Sequence, residues 1–422
     1  MMEVKQSTNI LERIQSVYHE YPTPFWVLMT GTFIDRLGTN LIMPFLAIYV
    51  VQRFDAKITQ IGLIYTIFAA GSGLGNFLAG ALADRFGRRF TLLLGLALAA
   101  TARIALGLAD NFAGLYIAAA FAGLFGAIGW PAQLAMTADL LGPQKRANGF
   151  GIQRVVINST FALGPLVGGF VGPRIGYLPL FILDALTSYF VALIVFARLP
   201  ETRPNREQAA HQGGENFTQT LAGYGRVLQD GTFVAFILIS ILTVTAYMQM
   251  STTLSVYLIK FQHVSESFFG ALVMLNALMV VFLQFSISRW ASKRPLLLVM
   301  IGGTAFYLVG FGSYGLPPSI PLFIFAMILI TLGEMLVIPT SQAMTALLAP
   351  ADMRARYVAT ERINWIVAQS LGPLGAAAIM DHFDPRWVWA GCSIICAVSI
   401  VSFYALHLHS RDRLTEKQNI QI

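Results

Sequence analysis

Charge is scarce in this chain: Asp, Glu, Lys and Arg make up only 12% of its 422 residues, about half the roughly 25% of an ordinary soluble domain. With 56% hydrophobic residues and so few charges, the chain cannot clothe a water-exposed surface, which excludes a soluble globular protein and points to lipid as its solvent. Cysteine is almost missing. Cys392 and Cys396 stand four apart on one face of the last apolar run, which excludes a disulfide framework or a metal-binding spacing and suits small packing residues. No phosphate-binding G-x-x-x-x-G-K-[ST] loop occurs, which argues against an ATP-driven pump. No His/Cys/Asp metal cluster and no Ser/His/Asp arrangement is readable, so neither metal, cofactor nor catalytic site is expected and a membrane-embedded enzyme is disfavoured. No polar stretch is long enough to bury a core, which argues against a receptor, a sensor with an output domain or a fused enzyme.

What is present is a series of apolar runs, each long enough to cross a hydrocarbon layer of roughly 30 Å. They cover about 25–51, 58–82, 90–109, 112–138, 147–172, 177–197, 231–260, 267–289, 295–315, 320–347, 355–380 and 386–408. The N-terminus, MMEVKQSTNILERIQSVYHEYPTP, does not resemble a cleaved signal peptide. The net charge of +7 is spread among loops rather than gathered on one face, so no nucleic-acid partner is expected. Arg85, Arg88, Arg89, Lys145, Arg146, Arg198, Arg203, Arg289, Lys293, Arg354, Arg356 and Arg411 follow the even-numbered runs, while the opposite loops hold few such residues. By the positive-inside rule both termini are expected in the cytoplasm of a protein spanning the cell membrane.

The second half of the chain repeats the first at an offset of 208, the shift from Pro131 to Pro339. The same shift carries Ala135-Met-Thr-Ala138 onto Ala343-Met-Thr-Ala346, Arg154 onto Arg362, and Leu163-Gly-Pro-Leu166 onto Leu371-Gly-Pro-Leu374. Tyr49 meets Tyr257 and Gly62 meets Gly270. A duplication in so apolar a chain predicts two pseudo-symmetric six-helix bundles, over 1–199 and 231–422, with the polar stretch 200–230 as linker. Within that linker, Phe217 to Gln229 has the pattern of a short amphipathic helix.

After the second run comes Gly80-Ala-Leu-Ala-Asp84-Arg85-Phe-Gly87-Arg88-Arg89. A glycine allows close helix approach, an acid with three arginines can latch at the membrane surface, and Gly87 permits a tight turn. This resembles the signature loop of the major facilitator superfamily, all-α membrane proteins of 12 helices in two bundles. The resemblance implies that the acid contacts the cytoplasmic end of the eleventh helix, for which Arg362 is the natural partner of Asp84, with Arg154 equivalent in the fifth helix. Asp139 and Arg146 flank the turn between the fourth and fifth helices and fall to the same latch. In the fifth run, Gly164-Pro165-Leu-Val-Gly168-Gly169 resembles the antiporter motif of drug:H+ exchangers, and Gly372-Pro373-Leu-Gly375 repeats it weakly. Gly333-Glu334-Met-Leu-Val-Ile-Pro339 is similar to the tenth helix of LmrP-type multidrug transporters, where the glutamate is functional. Other acids of that type are not retained, since Arg154 stands where one is expected and the stretch around Gln249 and Ser251 offers none. The superfamily's frequent arginine in the fourth helix is also missing, and Arg36 is a substitute candidate.

Ionisable residues inside the runs need a reason, because inserting one costs at least ~2.5 kcal/mol. Asp35 and Arg36 lie near mid-membrane, about 15 Å into the first helix by its rise, and being adjacent they cannot both face a central cavity squarely. Glu334 sits at comparable depth, and its repeat mate is Gly126, so its carboxylate is not part of the duplicated scaffold. Burial favours the neutral form of a carboxyl, and competition between proton and substrate for such a group couples their movements. Asp35, Arg36 and Glu334 are therefore the proton-coupling and substrate candidates. Arg103 and Asp184 are deep enough to need partners, and Phe68, Trp130, Tyr247, Met248, Met250, Tyr257 and Trp365 are candidates for an adaptable apolar lining. The expected function is proton-coupled export of an amphipathic organic compound by alternating access, with a small-molecule substrate, protons and the lipid bilayer as partners, acting as a monomer. A uniporter or proton symporter for a sugar, peptide or metabolite is the alternative.

Overall fold

A computed structural model describes residues 18–202, 225–350 and 353–421. Among the described residues, twelve helices are long and apolar enough to cross a membrane. They are α1 (Thr23–Phe54), α2 (Ile58–Phe86), α3 (Arg88–Leu108), α4 (Phe112–Asp139), α5 (Pro143–Ile175) and α6 (Leu178–Arg198) in the first half. The second half has α7 (Gly231–Thr252), α8 (Glu266–Ala291), α9 (Leu296–Ser313), α10 (Ile320–Leu348), α11 (Arg354–His382) and α12 (Trp387–Gln421). Helix starts follow local chemistry: the side chains of Asn111, Asp230, Ser265 and Ser319 each accept from the backbone N–H three residues on, opening α4, α7, α8 and α10. The twelve spans put the start of α1 and the end of α12 on one side, called here the terminal face; the other is the far face.

Three boundaries depart from the sequence expectation. In α1, Pro44 lacks an N–H to continue the helix, and a 3-10 turn at Met43–Phe45 separates Thr23–Ile42 from Leu46–Phe54. The seventh run is not one helix to residue 260: α7 stops at Thr252, whose hydroxyl donates to the Met248 carbonyl at 2.9 Å, and the chain continues through Leu254–Val256 into a π turn at Tyr257–Phe261. The last helix runs past 408 to Gln421, because the polar tail is rich in the good helix formers Arg, Leu, Glu, Lys and Gln. Of the amphipathic segment expected at 217–229, residues 225–229 are helical and the rest lies outside the described residues.

Helix neighbours reproduce the sequence duplication. In the first half α1 packs on α5 and α6, α2 on α4, and α3 on α4 and α6; in the second α7 packs on α11 and α12, α8 on α10, and α9 on α10 and α12. Each pairing recurs six helices later. The two bundles meet mainly through α2 against α11 and α5 against α8. Outward-facing Phe77, Phe282 and Phe285 are 77%, 74% and 76% exposed, an arrangement that lipid tolerates and water does not.

Candidate functional site

The bundle interface is built from residues that the duplication pairs. A Cβ on Gly62 of α2 would lie 2.9 Å from the Leu374 Cα and 3.1 Å from the Pro373 carbonyl oxygen of α11. A Cβ on Gly270 of α8 would lie 2.5 Å from the Pro165 carbonyl oxygen and 3.3 Å from the Leu166 Cα of α5. Repeat mates thus make mutually swapped contacts about a pseudo-twofold axis, and only glycine allows the approach. The Gly-Pro string of α5 belongs to the same seam. Gly164 abuts Asn40, Gly168 the Leu41 carbonyl and Gly169 the Glu266 carbonyl, so the motif packs α5 on α1 and α8.

Polar contacts close the seam at the far face. The Asp381 carboxylate of α11 accepts from the backbone N–H of Ile58 at 2.9 Å and of Thr59 at 2.6 Å, and from the Thr59 hydroxyl, capping the start of α2 across the interface. Glu266 accepts from Gln52 Nε2 at 3.2 Å and from the Tyr177 hydroxyl, the Ser267 hydroxyl donates to the Gly169 carbonyl at 3.0 Å, and the Thr66 hydroxyl to the Ser370 carbonyl at 2.5 Å. Toward the terminal face the repeat mates Arg154 and Arg362 are exposed.

Above this closure lies a cavity of about 490 Å³ between the bundles, lined by Arg36, Met43, Phe68, Tyr247, Met250 and Glu334 among others. Two of the three coupling candidates therefore share one chamber. The Glu334 carboxylate accepts from Asn276 Nδ2 at 2.8 Å and from the Tyr247 hydroxyl, and Arg154 acts on it electrostatically. Asn276 also donates to the Thr331 hydroxyl at 3.0 Å, and Tyr247 packs edge-on to Trp365, which holds both partners in place. Arg36 spreads its guanidinium over the Trp130 ring at 5.0 Å, a cation–π contact. Tyr257 is not part of this lining: it is buried among the far-face turns, its hydroxyl donating to the Tyr314 carbonyl at 2.6 Å as Tyr49 donates to the Gly107 carbonyl at 2.6 Å. Met248 is likewise packed inside its bundle.

Asp35 lies beside this chamber rather than on its lining. It lines an adjoining pocket of about 390 Å³, together with Arg36, Arg103 and Trp130 of the first bundle and Arg362 of α11. Its Oδ1 accepts from the Ser188 hydroxyl at 2.6 Å and lies 3.8 Å from Arg103. Arg103 Nε stands 2.7 Å from Asp184 Oδ2 and its NH2 donates to Ser188 at 2.6 Å, while Thr39 donates to Asp184 Oδ1 at 3.1 Å. An Asp–Arg–Asp cluster centred on Arg103 thus ties α1, α3 and α6 together, and its Asp184 is fully buried.

At the loop after α2, Gly87 adopts φ 98°, a left-handed conformation natural to glycine, and a Cβ there would meet the Glu201 carboxylate at 2.4 Å. Glu201, just past α6, accepts from the backbone N–H of Arg88 at 2.9 Å and of Arg89 at 3.2 Å, capping the start of α3. Arg88 pairs with Asp139 of α4 and donates to the Ala135 carbonyl at 3.3 Å, and Arg89 lies over Phe196 of α6. Arg146 donates to the Ala138 carbonyl at 2.9 Å, closing the end of α4. These arginines bind inside the first bundle. The Asp84 side chain lies outside the described residues, as does the Gly80 environment; Arg85 stacks on Phe86 at 5.3 Å, and Arg362 lines the adjoining pocket near Ser72 and Asn76.

A sequence model described as Major Facilitator Superfamily matches residues 28–360, more than half of the chain. The chain belongs to this superfamily. Among related proteins, a Na(+), Li(+), K(+)/H(+) antiporter of Planococcus maritimus is 26% identical over 91% of this chain and 96% of its own. Multidrug resistance protein 2 of Bacillus subtilis is 25% identical over 68% of this chain and 72% of its own. Among solved structures, a mutant of the nucleoside transporter NupG superposes with a TM-score of 0.80 at 14% identity, covering 91% of this chain and 100% of that one. A mutant of the peptide transporter POT gives 0.77 at 19% identity, covering 94% and 96%. The facilitator is therefore a multi-pass secondary transporter and not an enzyme, with the two-bundle fold its repeat implied.

Several groups of this facilitator escape sequence reasoning. Asp381 and Glu266 look like ordinary charges at helix ends, Glu201 like a linker residue and Asn276 like a neutral packing residue. Their partners are 50 or more residues distant in the chain, as with Asn276 and Glu334 at a separation of 58, so no local pattern announces them.

Proposed function

We propose that this facilitator exchanges protons for an amphipathic organic compound, exporting it, with Glu334 as the group that proton and substrate contest. The observation that carries this reading is Glu334 itself: a half-buried carboxylate on the central cavity whose hydrogen-bond partners, Asn276 and Tyr247, are both neutral. A carboxylate held by neutral donors can lose its charge to a proton or to a bound ammonium without breaking an ion pair. The absence of a matching acid in the first half, where Gly126 stands, agrees with a role in coupling rather than in the duplicated frame. The Gly-Pro seam of α5 and the antiporter and multidrug proteins among the relatives support exchange. Asp84 with Arg362 is the proposed latch of the outward-open state, when the terminal face shuts. The terminal face is proposed to be cytoplasmic, in the cell membrane.

A second reading is favoured by the Planococcus relative, exchange of an alkali cation for a proton. Everted membrane vesicles holding an imposed pH gradient, followed with acridine orange, test both. Ethidium, Na+ and K+ are added separately. Exchange of an organic compound predicts that ethidium dissipates the gradient, that the alkali ions do not, and that Glu334→Gln abolishes the response. Dissipation by Na+ or K+ alone supports the second reading, and an intact ethidium response in Glu334→Gln vesicles sinks the role of this carboxylate.

A further inference from the structure

Two opposite charges share the central cavity, and among the described residues neither forms a salt bridge: Arg154 acts on Glu334, and Arg36 on Asp184, from beyond ion-pair distance. The Arg36 guanidinium rests on the Trp130 ring, and its buried Nε meets no acceptor. Glu334 is hydrogen-bonded by amide and phenol donors. Of the other charges nearby, Asp35 and Asp184 both lie against Arg103 and are hydrogen-bonded by Ser188 and Thr39, while Arg154 and Arg362 are exposed toward the terminal face. Apolar Met43, Phe68, Phe161 and Met250 line the same chamber.

A buried polar atom without a partner calls for one, and a charge partly withdrawn from water with no salt-bridge partner favours a ligand that supplies it. A purely cationic ligand answers Glu334 and leaves Arg36 unmet; a purely anionic ligand answers Arg36 and adds a like charge beside Glu334. A molecule carrying both charges neutralises the two groups at once. We infer that the cavity takes an amphipathic zwitterion, its carboxylate held by Arg36, its ammonium by Glu334 and Asn276, and its apolar body by the Met and Phe side chains. The inference rests on the proposal that the substrate is an organic compound, and adds its charge class. In this arrangement the ammonium end competes with the proton at Glu334, while Arg36 is an anchor that stays charged throughout the cycle.

A matched trio of probes on one aromatic body tests it: 3-(2-naphthyl)alanine as the zwitterion, its methyl ester as the cation and its N-acetyl derivative as the anion. Binding to the purified full-length protein is read as thermal stabilisation against ligand concentration. The zwitterion is expected to bind about tenfold or more tightly than either singly charged analogue, the loss of one charge-assisted contact. Arg36→Gln is expected to remove that advantage over the ester, leaving the ester itself unchanged, and Arg36→Lys to restore part of it; equal unliganded melting of the variants shows that both fold. Equal affinity for ester and zwitterion, indifference to Arg36→Gln, or no binding by any of the three overturns the inference. Because this readout is an equilibrium, it stands apart from proton exchange. The zwitterion can bind as expected in a protein whose vesicles ignore ethidium and pH, and the ester can dissipate the gradient in a protein indifferent to Arg36.

Discussion

Asp184 is buried with no exposed surface, and its charge is tolerable because Arg103 lies 2.7 Å away and Thr39 donates to its other oxygen. Removing one member of such a pair strands the other. Arg103→Leu or Asp184→Asn is therefore expected to lower stability by about 3–5 kcal/mol, seen as a marked drop of the melting temperature in detergent. The double variant Arg103→Met with Asp184→Leu is expected to lose less than the sum of the single ones. Melting curves of the single variants that overlay the parent would remove the pair from the stabilising frame. Asp35, although a coupling candidate by depth, is held by Ser188 and Arg103 in this frame. Asp35→Asn is expected to weaken the α1–α6 tie more than it weakens substrate binding, which parallel melting and binding measurements separate. Its neighbour Arg36 lines both the Asp35 pocket and the central cavity.

The helices that matter most for movement are α2 with α11 and α5 with α8. Their contacts rest on Gly62 and Gly270, where any side chain meets backbone of the opposite bundle within about 3 Å. Such a clash cannot be relieved by a rotamer change. Gly270→Leu is expected to hold the far face open without unfolding either bundle, because the contact is between bundles rather than inside one. A cysteine placed at Ser267 reads this out: labelling by a membrane-impermeant maleimide is expected to rise severalfold in Gly270→Leu. The native Cys392 and Cys396 are both buried and free, so they add little background. Unchanged labelling would mean that the seam does not gate access. Asp381 adds a charge-assisted cap to the start of α2 in the closed arrangement, so Asp381→Asn is expected to act in the same direction and more weakly.

For the molecule as a whole, the duplication and the loop charges make one further expectation. A green fluorescent protein fused to the C-terminus is expected to be bright and an alkaline phosphatase fusion inactive, as a cytoplasmic terminus requires; the reverse pair of results would invert the proposed orientation. The fold was legible because its signals are local or periodic. Apolar runs of membrane length mark each helix, and the offset from Pro131 to Pro339 pairs α4 with α10 and, by extension, every helix with its mate. The cavity acids were legible for a related reason, since a charge inside an apolar run stands out against lipid-soluble neighbours.

Partnership was not legible in the same way. Gly62 and Gly270 are visible as repeat mates, as are Pro165 and Pro373, but that each glycine seats on the other half's proline depends on how two bundles fold against each other. Asp35, Arg103 and Asp184 are each readable as buried charges, yet their mutual pairing joins residues 35, 103 and 184 across three helices. Composition and periodicity act along the chain, so they fixed twelve spans, their duplication and which charges are buried. Which of those charges neutralise one another, and which are left facing an open cavity for a substrate to meet, followed from packing. Electrostatic pairing acts through a few ångströms of space, and the distance along the chain does not enter it.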